Sequence, residues 1–232
     1  MKRSASVQPV QAWSGEVRIT SARLQLEGSL DIPEHAHGLV LFAHGSGSSR
    51  HSPRNRRVAQ TLQRAAVATL LFDLLTKEEE REDEFTGHLR FDIDLLATRL
   101  RIATEWAHQH DRTARLRTGY FGSSTGAAAA LVAAADPEID IGAVVSRGGR
   151  PDFAGDALPR VRAPTLLIVG GDDDEVIPLN EEALAQLQCE KRLEIVPGAT
   201  HLFEEPGTLE RVADLAARWF ADHLSAQGES HD

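Results

Sequence analysis

The spacing of apolar residues changes near residue 38. Before that point, two segments at 17–20 and 24–32 alternate apolar with polar residues. A period of two is typical of strands that expose one face to water. After Gly38 the apolar residues form short continuous runs, which are typical of strands buried on both faces of a sheet. The pattern predicts an antiparallel entry hairpin followed by buried parallel strands.

Six continuous apolar runs follow the hairpin. They lie at 39–43, 68–72, 118–121, 141–145, 165–169 and 193–196. Helical periodicity separates them and is clearest at 91–110 and 208–224. Regular alternation of strand and helix predicts the α/β class, with right-handed crossovers in a doubly wound sheet. We expect about eight strands in a mostly parallel sheet, with the hairpin antiparallel.

The 232 residues fit one domain. We predict an irregular N-terminal segment at 1–14, one α/β domain at 15–225 and a C-terminal tail at 226–232. The stretch at 77–84 is the most charged in the chain, and we interpret it as a solvated loop or frayed helix face without chemistry. The segment at 147–163, between the predicted strands at 141–145 and 165–169, has only about 15 residues. This length is too short for a helical cap domain.

Composition narrows the class of partner. The formal net charge of -10 argues against binding to nucleic acid or anionic lipid. Apolar runs are too short for a signal peptide or a membrane span. The single cysteine, Cys189, excludes an intramolecular disulfide and a thiolate metal cage. We expect a cytoplasmic protein without nucleic-acid or membrane partners, in which Cys189 is a packed thiol.

A Gly-x-Ser-x-Gly pattern lies between a buried strand and a helix. Residues 122–126 read Gly-Ser-Ser-Thr-Gly, and an alanine-rich helix former follows at 127–132. A sharp turn of this kind holds its central serine out from the sheet and needs small residues at both ends. The alternative is an ordinary turn before a helix, but the flanking elements favour Ser124 as a nucleophile. The spacing from either glycine selects Ser124 over Ser123.

Two backbone N–H groups are candidates for an oxyanion hole. The N–H of Thr125 opens the helix after the serine. The second candidate is the N–H of Ser46, in the Gly/Ser-rich loop that follows the strand at 39–43. His44 precedes this loop, and its place at the strand end favours a histidine that braces the loop over a catalytic base.

A serine nucleophile needs a base and an acid that orients the base. Three aspartates at 172–174 follow the strand at 165–169. The spacing between Gly170 and Val176 selects Asp173, with Asp172 and Asp174 as alternatives. A metal site is disfavoured because the aspartates are not interleaved with a turn glycine.

The base is predicted from chain order and strand position. His201 follows the last strand through a short loop, and it is the one histidine of ten that matches the expected order of serine, acid and histidine. We therefore predict a triad of Ser124, Asp173 and His201, which requires neither a cofactor nor a metal.

On these motifs the chain resembles the α/β-hydrolase superfamily over about residues 15–225. It is more narrowly similar to the branch of small, lidless members related to dienelactone hydrolases. Dienelactone hydrolases proper use a cysteine nucleophile, whereas this chain has Ser124. Segments 50–55 and 146–152 resemble a bacterial subgroup of hydrolases, some of them joined to phosphoribosyltransferase domains. The resemblance implies acyl hydrolysis.

Two arginines follow the predicted strand at 141–145. Arg147 and Arg150 lie at the carboxyl end of the sheet, where ligands of open α/β sheets bind. Guanidinium groups suit carboxylates and phosphates, so we hypothesise that they hold an anionic part of the substrate. The alternative is ion pairs with neighbouring acids such as Asp152 and Asp156.

The sequence thus favours a serine esterase that acts on a small-molecule ester through an acyl-enzyme. The same groups would serve a thioesterase, a lactonase or a peptidase. A binding module on a hydrolase fold is the alternative from another class, and the complete set of triad residues argues against it.

Overall fold

The computed structural model describes residues 11–225 of the chain. Its single sheet has eight strands in the order β1-β2-β4-β3-β5-β6-β7-β8. The strands are β1 (Trp13–Ser21), β2 (Leu24–Ile32), β3 (Gly38–Ala43), β4 (Val67–Phe72), β5 (Arg117–Ser123), β6 (Ala143–Arg147), β7 (Thr165–Gly170) and β8 (Lys191–Val196). β2 is antiparallel to β1 and to β4, and the remaining pairs are parallel. The predicted fold class is confirmed.

Helices cover both faces of this sheet. They are α1 (Pro53–Arg64), α2 (Lys77–Thr86), α3 (Ile93–Gln109), α4 (Thr125–Ala134), α5 (Ile177–Gln186) and α6 (Thr208–Leu224), with 3-10 helices at Leu89–Phe91 and Pro151–Arg160. No helix within residues 11–225 combines the length and apolar character needed to cross a bilayer.

The first strand begins earlier than its pattern predicts. β1 starts at Trp13, inside the segment 1–14 that we predicted to be irregular, because Trp13 packs partly against the core and Ser14 hydrogen-bonds across the hairpin to Asp31. Residues 1–10 of that segment and the predicted tail at 226–232 lie outside the described residues.

The buried runs match the six later strands, with one shift. β6 covers residues 143–147 instead of the predicted 141–145. Its last two residues, Ser146 and Arg147, are polar and yet buried, so an apolar run did not reveal them. This shift places Arg147 within the strand.

Two apolar layers hold the helices to the sheet. One packs α3 and α4 against one face, and the other packs α1 and α6 against the opposite face. On the second face, Val58 and Leu62 of α1 join Val212 and Phe220 of α6, and none of these side chains is exposed. Complete burial of side chains of this size stabilises the fold by about 1.5–3 kcal/mol each.

The charged stretch at 77–84 forms an ordered helix. The Thr76 side chain accepts a hydrogen bond from the Glu79 N–H, and Glu79 accepts one from the Thr76 N–H, which is a capping box. Gly87 ends the helix in the left-handed conformation, with φ of 67°. Glutamates in the first turn also favour the helix dipole. The prediction of a loop or frayed helix gave these capping signals too little weight.

Candidate active site

Ser124 lies at the sharp turn between β5 and α4. Its φ of 50° and ψ of -122° are unusual for a residue with a side chain, and such a conformation costs on the order of 1–3 kcal/mol. The surrounding structure has to enforce this geometry. Strained serines of this kind are typical of nucleophile elbows.

The glycines on either side of the turn permit the close packing that it needs. A Cβ atom added to Gly126 would lie 2.2 Å from the carbonyl oxygen of Ala43, and one added to Gly122 would lie 2.4 Å from the Cα of Ala127. Neither position therefore accepts a side chain without movement of the backbone.

The segment that leaves β6 holds both backbone groups of Ser124. The Ser124 N–H donates to the carbonyl of Arg147 at 3.3 Å, and the Arg150 N–H donates to the carbonyl of Ser124 at 3.1 Å. Sequence reasoning did not anticipate this role of residues 147–150, because it depends on main-chain atoms of a neighbouring strand.

His201 contacts one aspartate of the three. Its Nδ1 lies 2.7 Å from Oδ2 of Asp173, and the Asp173 side chain is only 10% exposed. Asp172 and Asp174 are exposed. With Nδ1–H donating to the carboxylate, the Nε2 atom on the opposite side of the ring remains able to accept a proton.

Main-chain bonds hold the two loops of this pair together. The Asp172 N–H donates to the carbonyl of Ala199 at 2.9 Å. Glu205 accepts hydrogen bonds from both the N–H and the hydroxyl of Thr200. The histidine loop (197–207) is therefore braced internally and against the aspartate loop (171–176).

Ser124 and His201 are brought to the same edge of the sheet. Gly148 connects the two residues structurally. The residue before it, Arg147, accepts the hydrogen bond from the Ser124 N–H. A Cβ added to Gly148 itself would lie 3.1 Å from the His201 carbonyl oxygen. Among the described residues no hydrogen bond links Ser124 Oγ to the imidazole. Catalytic hydrogen bonds often tighten only when substrate is bound.

The two candidate oxyanion donors are neighbours. The Ser46 N–H donates to Oγ1 of Thr125 at 2.9 Å. Thr125 is the first residue of α4, so its own N–H has no acceptor within the helix. The Ser46 N–H would have to exchange the Thr125 hydroxyl for a substrate oxygen.

His44 braces the loop that carries Ser46. Its Nε2 accepts from the Leu74 N–H at 3.2 Å, and its Nδ1 lies 3.0 Å from the Gly45 carbonyl. Burial lowers the pKa of His44, so the ring is neutral, with the proton on Nδ1. This geometry favours the bracing interpretation, since both ring nitrogens are occupied.

A cavity of about 260 Å³ adjoins the loop that carries Ser46. Ser46, Leu74 and Leu96 contribute to its lining, together with Glu80 and Glu84 of α2. In α2, Asp83 is buried and hydrogen-bonds to Arg90. The charged helix α2 thus lines a pocket beside the candidate site. Its sequence pattern alone had predicted no chemical role.

Arg147, at the end of β6, and Arg150, after it, have different surroundings. Arg150 donates two hydrogen bonds to Asp152, at 2.9 and 2.7 Å, and stacks over Phe153. This is the ion pair that the alternative interpretation described. Arg147 is 7% exposed, and its Nε and Nη1 atoms have no hydrogen-bond partner. Burial and the charge of Arg54 lower the pKa of Arg147 to about 10.

The described residues contain no cluster of three or more His, Cys, Asp or Glu side chains that could hold a metal ion. Cys189 is partly buried, and burial raises the pKa of its thiol.

Comparison with known proteins agrees with this fold. The sequence profile of the dienelactone hydrolase family matches residues 29–226. The chain belongs to the dienelactone hydrolase family. A crystal structure named dienelactone hydrolase, from Anabaena variabilis, is 60% identical and superposes with a TM-score of 0.90, covering 92% of this chain and 99% of that one.

Other proteins that are similar to this chain in sequence or in fold carry different names. Two curated Mycobacterium tuberculosis proteins, each named "Putative phosphoribosyl transferase", are 59% identical over 215 residues, or 93% of this chain. The chain spans about half of their length, namely 48%. Est1E from Butyrivibrio proteoclasticus shares the fold, with a TM-score of 0.75 at 18% identity over 90% of this chain and 99% of that one.

Proposed function

We propose that this protein is a serine hydrolase that cleaves a carboxylic ester through an acyl-enzyme on Ser124. The observation that carries the proposal is the hydrogen bond of 2.7 Å between His201 and Asp173, at the sheet edge where the strained Ser124 also lies. A neutral imidazole oriented by a carboxylate is what a serine hydroxyl needs to become a nucleophile.

The first half-reaction forms the acyl-enzyme. Ser124 Oγ attacks the substrate carbonyl carbon and transfers its proton to His201 Nε2, while Asp173 stabilises the resulting imidazolium. The N–H groups of Thr125 and Ser46 hold the negative oxygen, the latter after it leaves Thr125 Oγ1. His201 then gives the proton to the departing alcohol oxygen, and the C–O bond of the ester breaks.

Water completes the reaction in the second half. His201 Nε2 takes a proton from water as the water oxygen attacks the acyl carbon, and the same proton returns to Ser124 Oγ as the acid is released. A thioester, lactone or amide would follow the same sequence with a different leaving group.

Structural neighbours support a small-molecule substrate. They include proteins named esterases, and Est1E has been solved with ferulic acid bound. The cavity of about 260 Å³ beside Ser46 suits a compact group of the substrate. The M. tuberculosis proteins named phosphoribosyl transferases share with this chain the segment that the hydrolase family profile covers, which favours hydrolysis as the activity of the shared part.

The test compares labelling and turnover in matched variants. A fluorophosphonate probe and p-nitrophenyl acetate are applied to the wild type, Ser124→Ala, His201→Ala and the control Ser123→Ala. We expect Ser124→Ala to abolish labelling, and both triad variants to lose several powers of ten in kcat. Ser123→Ala should retain both, because Ser123 is buried in β5. A wild type that is neither labelled nor active would refute the proposal.

A further inference from the structure

Arg147 is a buried cation without an ionic partner. Arg147 is the last residue of β6, and the whole residue is 7% exposed. Among the described residues, neither Nε nor Nη1 of its guanidinium has a hydrogen-bond partner. No carboxylate lies within ion-pair distance of it among the described salt bridges, whereas Arg50, Arg90 and Arg150 each have at least one. A buried charge is normally paired, because removal from water without a partner is costly.

The neighbourhood of Arg147 adds positive charge instead of neutralising it. Arg54 of α1 is close enough to lower the pKa of Arg147 by repulsion, and the Nε of Arg54 is itself buried without a partner. The ring of Phe203 lies 5.9 Å from the Arg147 guanidinium carbon. A cation–π contact at this distance offsets only part of the desolvation cost.

Arg54 is held in place by the histidine loop. Its Nη1 lies 3.0 Å from Oε1 of Glu204, three residues after His201. The Arg54 side chain is 34% exposed and that of Glu204 is 64% exposed. An anion could therefore approach from solvent past this ion pair and compete with Glu204 for Arg54.

We propose that Arg147 and Arg54 form a binding site for a small oxyanion, a carboxylate or a phosphate group, on the α1 side of the loop that carries His201. Two neighbouring guanidinium forks with unused N–H groups match the several oxygens of such a group. Arg54 also lies in the first turn of α1, where the helix dipole favours negative charge. The site uses Arg147 with Arg54, and Arg150 is excluded from it by its pairing with Asp152.

Thermal unfolding with inorganic phosphate tests this site without any enzymatic assay. In wild type, phosphate at one hundred times its dissociation constant should raise Tm by about 5–10 °C, with potassium chloride of equal ionic strength as the reference. Arg147→Met and Arg54→Met should each weaken phosphate binding at least tenfold. The control Arg57→Met removes an exposed arginine of the same helix, paired with Glu210, and should leave binding unchanged.

Stability without phosphate separates a ligand site from a structural role. Because Arg147 has no ionic partner among the described residues, and its contact with Phe203 offsets only part of the desolvation cost, Arg147→Met should be at least as stable as wild type in chloride alone. The proposal is overturned if phosphate raises Tm equally in wild type and Arg147→Met, or has no effect in wild type. If Arg147→Met does not fold, a normal phosphate response of Arg54→Met overturns it as well.

A kinetic comparison distinguishes a substrate group from an effector. This arm rests on the proposed function, whereas the thermal measurement does not, so the two fail separately. If the anion belongs to the substrate, Arg147→Met should raise KM for mono(4-nitrophenyl) succinate at least tenfold more than KM for 4-nitrophenyl acetate, and phosphate should compete against the anionic ester in wild type. If it is a separate effector, phosphate should change kcat for both esters in wild type and for neither in Arg147→Met.

Discussion

Gly148 and Gly155 provide a matched pair for testing how the histidine loop is positioned. Both glycines follow β6 and both have positive φ, 50° for Gly148 and 47° for Gly155. They differ in what a side chain would meet. A Cβ on Gly148 would lie 3.1 Å from the His201 carbonyl oxygen and 3.5 Å from its Nδ1, whereas a Cβ on Gly155 would meet nothing within 4 Å.

The backbone cost of alanine is common to both positions. A residue with a side chain in a sparsely populated conformation at positive φ costs on the order of 1–3 kcal/mol, so both variants should lose about that much stability. At Gly148 the His201 carbonyl must also retreat by a few tenths of an ångström. Since a displacement of about 1 Å in an active site costs on the order of 10²-fold, we expect kcat/KM of Gly148→Ala to fall about fivefold to tenfold.

Urea denaturation and turnover of p-nitrophenyl acetate measure the two effects separately. Gly155→Ala should match the stability loss of Gly148→Ala to within about 1 kcal/mol and keep wild-type kcat/KM within about twofold. Equal kcat/KM in the two variants would show that contact with residue 148 does not position His201. A normal stability of both variants would refute the assumed backbone strain.

Three further predictions test individual side chains. Asp173→Asn should lower kcat by several powers of ten through the wrong imidazole tautomer, while the exposed Asp172→Asn should stay near wild type; equal losses in p-nitrophenyl acetate turnover would contradict the pairing. Burial lowers the pKa of His44, so stability should decrease as pH falls through about 6.5 toward the lower folded-state value, and urea denaturation of His44→Gln should show a shallower decrease; parallel pH curves would rule this out. Because burial raises the pKa of the Cys189 thiol, iodoacetamide should leave activity unchanged while a fluorophosphonate abolishes it; loss of activity on thiol alkylation would instead favour a cysteine nucleophile.

The order of elements was readable from the chain because strands β3 to β7 are buried on both faces, and β8 still carries three apolar residues among its last four. Continuous apolar runs therefore predicted β3 to β8 to within a few residues, and the periodicity at 208–224 matches α6. The exception was β6, whose last residues are buried and polar. Hydrophobicity carries no signal where a buried position holds an arginine.

The candidate triad residues were predicted from local pattern. Ser124 is fixed by a turn whose glycines are required, because an added Cβ would lie only 2.2 or 2.4 Å from neighbouring backbone atoms. Such steric requirements appear in the sequence as a motif. Asp173 and His201 follow strand ends, and parallel strands bring their carboxyl ends to one edge of the sheet. The sequence thus determined which residues meet, because strand order and chain order are linked in this fold.

Only the tertiary structure decided what surrounds those residues. The contact between Ser46 N–H and the Thr125 hydroxyl, the hold of residues 147–150 on Ser124, and the separation of a paired Arg150 from an unpaired Arg147 all join segments that are distant in sequence or differ by side-chain direction alone. Two arginines three residues apart look alike in a sequence. Arg147 is buried at the end of β6, whereas Arg150 lies three residues later and pairs with Asp152. That difference in burial and partner exists only once the chain has folded.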